Sequence, residues 1–445
     1  MSPSPFSPQV SASQVVDGVT VHGWYGVRFA QFTKRFQPAV PASGQLAVSQ
    51  LHDVPIFPQL PSRLASSMGT AKANPQSEDA FFVNVWAPAQ AERLPVLVFI
   101  HGGAWLTGGG AMAWYEGARL AAQGIVVVNV SYRLGALAHA QTTAIGSLPI
   151  DDLRLGLHWV VKHIAGFGGD PTRLCVAGQS AGGWYAHLLS TLPEFKGMID
   201  RVALLSMGTR APWTVSQQQT VWHGMNQTGV DVLACSATAL LRLGMQALPQ
   251  HSFQLGYAPS AFLPTEGPDI PPAFLEPEWA AQHSHAQAWY IRYTADESSA
   301  FFFDRDDYKT VTQEQVDQVL QHWLLQDLPP VLKKQGKYAG AASGLTPYRQ
   351  IVKASSWRQF QRFPYQYAQA LSAQGKRVVF QPFTLESPLA GFYSGHCFDL
   401  PFQFGNWADW ADAPMLQGLS PEAFEVESQK WRTHLVDFVR GQDND

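Results

Sequence analysis

Seven short runs of apolar, β-branched or aromatic residues recur along this chain, bounded by Gly, Pro or Asp. They are FFVNVWA (81–87), PVLVFI (95–100), IVVVNVS (125–131), RLCVAG (173–178), RVALLS (201–206), WYIRYT (289–294) and RVVFQPF (377–383). A strand with one wet face alternates apolar and polar residues. Near-continuous apolar runs instead suit parallel strands covered on both faces. Helical patterns lie between the runs. DDLRLGLHWVVKHI (151–164) opens on acidic residues, and the segment from Thr312 sets that residue and Gln315 in capping-box relation, with Val316, Val319, Leu320 and Trp323 on one face. Ser420 and Pro421 read as the cap and first residue of a last helix. This alternation predicts an α/β protein, a large, mostly parallel twisted sheet flanked by helices. Residues 208–286 and 304–350 fit it poorly and read as helical excursions covering the top of the sheet. Residues 1–20, beginning with a Pro/Ser-rich stretch, read as a flexible leader to a single domain over 21–445.

Composition narrows the function. Charged residues are only 14% of the chain and hydrophobic ones 46%, against about 25% charged in an average globular protein. That suits a large core with an apolar cleft or an oligomer contact, so a monomer or a homodimer is expected. The net charge is −4 and there is no basic block, which argues against nucleic acid and anionic membranes as partners. The N-terminal stretch has neither the charged nor the apolar region of a signal peptide, and no apolar run approaches the ~18 residues of a membrane span. Cys175, Cys235 and Cys397 lack metal-ligand spacing and are odd in number. No metal and a cytoplasmic location are the expectations.

The segment RLCVAGQSAGGWYAHLL (173–189) sets a cluster of small residues between a strand pattern and a helix pattern. Either the glycines let the helix pack closely on the sheet, or Ser180 is held on a sharp turn as a nucleophile. Gly178-Gln179-Ser180-Ala181-Gly182 is a G-x-S-x-G, which arises by chance in roughly one chain in five or six of this length. The strand–turn–helix context is what a nucleophile elbow requires, with the helix N-terminus aimed at developing negative charge. HGGAWLTGGG (101–110) directly follows another strand pattern. Its small residues allow backbone N–H groups to converge on an oxyanion. It is not a G-x-G-x-x-G, and the chain has no G-K-[ST] phosphate loop.

Further segments resemble one family, the type-B carboxylesterases, which include the cholinesterases. SEDAFFVNVWAP (77–88) is similar to the family's S-E-D-C-L-x-L-N-V-x-x-P, and residues 131–183 follow its long signature through the nucleophile. YTADESSAFF (293–302) resembles the acid segment D-E-G-x-x-F, GHCFDLPFQFGN (395–406) the histidine segment H-x-x-E-L-x-x-x-F-G, and WYGVRFAQFTKRFQPAV (24–40) a shortened N-terminal region. The resemblance implies an α/β-hydrolase fold and a serine esterase that forms an acyl-enzyme from small to medium apolar or aryl esters, without a cofactor. It assigns Ser180 as nucleophile, Glu297 as triad acid and His396 as general base, in the chain order that fold uses. Asp296 stands beside Glu297, and either carboxylate could simply cap a turn; the family pattern selects Glu297. Gly103, Ala104 and Ala181 match the oxyanion donors. Gly102, Gln179 and Trp184 are placed near the substrate pocket, with Trp184 also suited to packing its helix. His101 would hold the oxyanion loop, and Glu78, Arg35, Arg133 and Asp170 match positions of buried ion pairs. His283 and His285 form an H-x-H without a third ligand and read as solvated loop.

The chain departs from the pattern at several points. Phe57 and Ala80 occupy the positions of a disulfide, which suits a reducing compartment. Gln179 replaces the usual Glu before the nucleophile, which disfavours cationic alcohols. Ser298 replaces a Gly, acceptable where φ is negative, and the chain is shorter than its relatives. The same triad would also serve amides, carbamates or lactones. A non-catalytic binding protein of the same fold is the reading from outside enzymology.

Overall fold

The computed structural model describes residues 8–140, 147–248, 254–259 and 262–442. All seven apolar runs are strands of one ten-stranded sheet. Three N-terminal strands precede them: β1 (Ala12–Val16), β2 (Val19–Gln31) and β3 (Val40–Gln45). Then come β4 (Phe82–Pro88), β5 (Leu94–Ile100), β6 (Val126–Val130), β7 (Gly169–Gln179), β8 (Ile199–Leu205) and β9 (Ala288–Arg292). The two-residue strands β10 (Lys333–Lys334) and β11 (Lys337–Tyr338) form a separate ribbon, and β12 (Arg377–Phe380) closes the large sheet. The strand order is β1-β2-β4-β6-β5-β7-β8-β9-β12, with β3 on β2.

From β6 to β12 every pairing is parallel. The pairings of β1, β2, β3 and β4 are antiparallel, including β4 with β6. The run at 81–87, grouped with the parallel strands because it is unbroken and apolar, is thus antiparallel to both neighbours. Its composition reflects burial on both faces, which does not depend on strand direction. Of the leader expected over 1–20, residues 1–7 lie outside the described residues, and residues 13–16 are not a leader but pair with 19–22 across a tight turn. The long β2 escaped the sequence reading because a register shift between Trp24 and Val27 breaks its two-residue period.

The sheet separates two cores. Val96, Val98, Ile100, Val126, Val128, Leu174 and Val176 enter one, while Leu97, Phe99, Val127, Cys175 and Ala177 enter the other. Each Val, Leu, Ile or Phe among them, fully buried, contributes about 1.5–3 kcal/mol. A third cluster, including Phe302, Tyr308, Val316, Leu320 and Ile351, gathers the segment after β9. The anticipated helices form as Leu148–His163, Gln313–Gln321 and Pro421–Arg440. The Thr312–Gln315 capping box is complete, and Ser420 caps the last helix. Among the described residues no helix is long and apolar enough to cross a membrane.

Arg35 pairs with Glu78 at 2.5 Å. Arg133 grips Asp152 at 2.5 Å with both side chains buried, whereas Asp170 meets the exposed Arg93. A second fully buried pair, Arg292–Asp399 at 2.8 Å, ties β9 to the segment after His396. Removing one partner of such a pair costs about 3–5 kcal/mol, because the other charge is left stranded. At the lost disulfide position the Phe57 ring packs edge-on against Phe81 at 5.0 Å; all three cysteines are free.

Candidate active site

Parallel strands bring their carboxyl ends to one edge, where open α/β sheets form their clefts. β7 lies beside β5 with Gly178 opposite Ile100. The turn after β7 therefore meets the loop after β5, and the segments after β9 and β12 reach the same edge.

Ser180 sits between β7 and the helix Ala181–Thr191 with φ 56° and ψ −119°. This is a strained conformation for a residue with a Cβ, of a kind that persists only where its surroundings enforce it. Its N–H donates to the Leu205 carbonyl at 2.9 Å, and its own carbonyl accepts from Trp184 at 3.1 Å. The small residues around it also serve packing. A Cβ on Gly182 would lie 2.0 Å from the Ile100 carbonyl oxygen, so the helix could not approach β5 with any other residue there. The GQSAGG cluster packs the helix and presents the serine together.

His396 connects Ser180 to Glu297. Its Nε2 lies 2.9 Å from the Ser180 Oγ and its Nδ1 2.5 Å from Glu297 Oε2. The other Glu297 oxygen accepts the Thr294 N–H at 2.8 Å, and the His396 N–H donates to the Glu297 carbonyl at 3.0 Å. Glu297 is fully buried, and Ser180 keeps 9% exposure. Asp296 points elsewhere, to Lys353 at 2.9 Å and Arg349 at 3.6 Å, so only its neighbour joins the chain of hydrogen bonds. Burial works to lower the His396 pKa, but the adjoining Cys397 and the Glu297 carboxylate oppose it and carry it well above the usual 6.5.

The loop after β5 carries its own strain, with Ala104 at φ 54° and Trp105 at φ 59°. Gly102 closes onto the serine turn; a Cβ there would lie 2.3 Å from Gln179 Oε1 and 3.0 Å from the Ser180 Cβ. Among the described residues no group accepts the backbone N–H of Gly103 or Ala104. Ala181 opens its helix, where a backbone N–H has no intrahelical carbonyl to reach. His101 braces the loop, with Nδ1 2.8 Å from the Gly102 carbonyl and its ring stacked on Tyr132 at 4.4 Å. Burial lowers its pKa to about 4, so it is neutral.

A cavity of about 660 Å³ opens over Ser180 and His396. Gly102 and Gln179 line it, but Trp184 does not. Trp184 is fully buried. Its indole N–H donates to the Arg210 carbonyl, and its ring packs on Phe274 at 4.6 Å. The helix points its side chain into the core; Trp105 takes the place on the wall. Gln179 Nε2 lies 3.3 Å from both His396 Nε2 and the Cys397 sulfur. Ser298 has a negative φ and holds Ser355 and Ser356 through its hydroxyl and N–H. His283 stacks on Trp279, and no cluster of three metal-ligating side chains occurs among the described residues. From 208–286, Gly208, Arg210, Leu241, Met245, Ala258 and Phe262 reach the cavity; no residue of 304–350 is on its wall.

The sequence reading passed over Asp152, Asp399 and Arg210. Asp399 had a signal, since it occupies the acidic position of the H-x-x-E-L pattern. Arg210 had a weaker one, a lone cation four residues beyond a strand that ends at the site edge.

Comparison with known proteins agrees with this architecture. The model of the carboxylesterase family matches residues 10–406. A probable N-octanoylanthranilate hydrolase of Rhodococcus erythropolis is 30% identical over 446 aligned residues, 96% of this chain and 90% of the relative. The para-nitrobenzyl esterase of Bacillus subtilis is 34% identical over 68% of this chain and 64% of its own. A solved PNB esterase structure superposes with a TM-score of 0.76 at 27% identity, covering 98% of this chain and 91% of that one. Matched across the sheet and the segments that carry Ser180, Glu297 and His396, the chain belongs to the carboxylesterase family and is an ester-hydrolysing enzyme.

Proposed function

We propose that this enzyme is a serine hydrolase that cleaves small to medium apolar or aryl esters through an acyl-enzyme. The observation that carries the reading is the unbroken chain from Glu297 through His396 to Ser180. His396 Nε2 takes the hydroxyl proton as Ser180 Oγ attacks the ester carbonyl, and Glu297 holds the imidazole in the required tautomer and stabilises its protonated form. The developing oxyanion is received by the N–H groups of Gly103, Ala104 and Ala181. Collapse of the intermediate expels the alcohol, protonated by His396. Water, deprotonated by the same nitrogen, then releases the acid.

Hydrolysis of p-nitrophenyl esters from acetate to decanoate, by wild type and Ser180→Ala, tests this. Turnover should fall at least ~10⁴-fold in the variant, and the chain-length optimum reports the depth of the acyl site. Undiminished turnover in Ser180→Ala would remove Ser180 as nucleophile. A second reading applies the same groups to amides, favoured by the relative whose name specifies an N-acyl compound; an anilide series run alongside compares the two bonds.

A further inference from the structure

The wall of the cavity over Ser180 carries positive charge. Arg210, Arg63 and Lys72 line it, and no described lining residue is Asp or Glu. The buried arginines Arg133, Arg292 and Arg432 each grip a carboxylate, as the cost of burying a charge demands, and Arg210 is half-buried. Arg210 is held differently. Its Nη2 donates to the carbonyls of Ala258 and Pro259 at 2.9 and 2.7 Å, both neutral acceptors. A guanidinium has five N–H donors, so the Nε and Nη1 donors remain uncommitted among the described residues.

The position of Arg210 is set by the catalytic turn. Two residues earlier, the Gly208 N–H donates to the Ser180 carbonyl at 3.3 Å, and the Arg210 carbonyl accepts from the Trp184 indole at 3.1 Å. Burial, and then the like charge of Arg63, lower the Arg210 pKa to about 10. It therefore stays cationic at neutral pH, in surroundings that hydrate it poorly. A negative group entering the cavity would meet a cation held in place through Nη2, with N–H donors still to give, which suits a carboxylate electrostatically and by charge-assisted hydrogen bonding. Leu241, Met245, Phe262, Phe301 and Phe360 give the cavity a largely apolar face.

We propose that the cavity selects esters whose acyl or alcohol part bears a carboxylate, anchored by Arg210. The inference rests on the hydrolase reading above and names the substrate class of that site. Two matched pairs test it: 4-carboxyphenyl butanoate against its methyl ester, and mono-4-nitrophenyl glutarate against its methyl ester. Each is measured with wild type, Arg210→Leu and Arg210→Lys. In at least one pair the wild type should favour the anion about tenfold in kcat/KM, mainly through KM, as a charged hydrogen bond predicts. That ratio should fall to about one in Arg210→Leu and recover in part in Arg210→Lys. A purely structural role for Arg210 would lower both members of a pair and leave the ratio intact. No wild-type preference in either pair, or one that survives Arg210→Leu, overturns the proposal. Calorimetric binding of the same compounds to Ser180→Ala keeps the two readings apart. If no ester is turned over, the hydrolase reading fails, and preferential binding of the anionic members, or its absence, still decides the anion site.

Discussion

The catalytic edge of the sheet and the outer wall of the cavity are built from different kinds of chain. Ser180 leaves directly from the end of β7, and the loop of Gly103 and Ala104 directly from β5. Glu297 and His396 follow β9 and β12 and are joined to each other by backbone as well as side-chain hydrogen bonds. The wall is drawn instead from loops and short helices, Ile56–Gln76 on one side and stretches between Gly208 and Phe262 on the other. At the edge, buried polar groups have specified partners and the backbone is strained at Ser180, Ala104, Trp105 and Cys397. On the wall, apolar side chains and the Arg210 guanidinium, held only by neutral carbonyls among the described residues, face the cavity. Chemistry requires fixed geometry and is placed on rigid strands, whereas selectivity can be revised residue by residue on loops.

The largest test of this contrast lies at the edge. Glu297→Gln keeps the shape but withdraws the charge that orients and stabilises His396, so kcat should fall by about 10³–10⁴. A loss below tenfold, measured with the p-nitrophenyl series, would mean the hydrogen-bond chain is not used in turnover. The wall should respond on a smaller scale and in a different quantity. Leu241→Ala removes apolar surface from the cavity and should change the relative rate of octanoate over butanoate by roughly tenfold or more, with much less effect on the best substrate. If it instead depresses all esters alike, edge and wall are not separable there.

The smallest effect is a shift in pH dependence. In the proposed mechanism the base must be neutral to accept the Ser180 proton, so the rate should rise with pH through the His396 pKa. That pKa is raised above 6.5 against the effect of burial, which puts the rising limb of kcat/KM above that value. Glu297, Cys397, Asp399 and the neutral Gln179 are the groups around the ring. Gln179→Glu would set a carboxylate at Nε2, favour imidazolium and move the limb up by about one pH unit or less. The shift is read from the pH profile of kcat/KM. An unchanged profile would show that residue 179 does not act on His396 electrostatically.

Much of the edge was legible before any fold was known. Short-range chemistry writes itself into short patterns: Ser180 needs small neighbours because backbone passes within contact distance of Gly178 and Gly182, and the loop after β5 needs residues that tolerate positive φ. The seven strands were legible because burial on both faces leaves unbroken apolar runs, and the Thr312 and Ser420 caps because their hydrogen bonds span only three residues. Strand direction in β4 and the bulged β2 were not, and Trp184 stood open between pocket and helix packing, since each depends on what packs opposite. The choice of Glu297 over Asp296 rested on family resemblance alone until Lys353 and Arg349 were seen to hold Asp296. Local sequence thus determined the strands, the caps and the reactive serine turn. Only the tertiary structure decided which carboxylate meets His396, that Asp152 answers Arg133, and that Arg210 faces the cavity with no acid beside it, because those contacts join residues far apart in the chain whose spacing leaves no periodic trace.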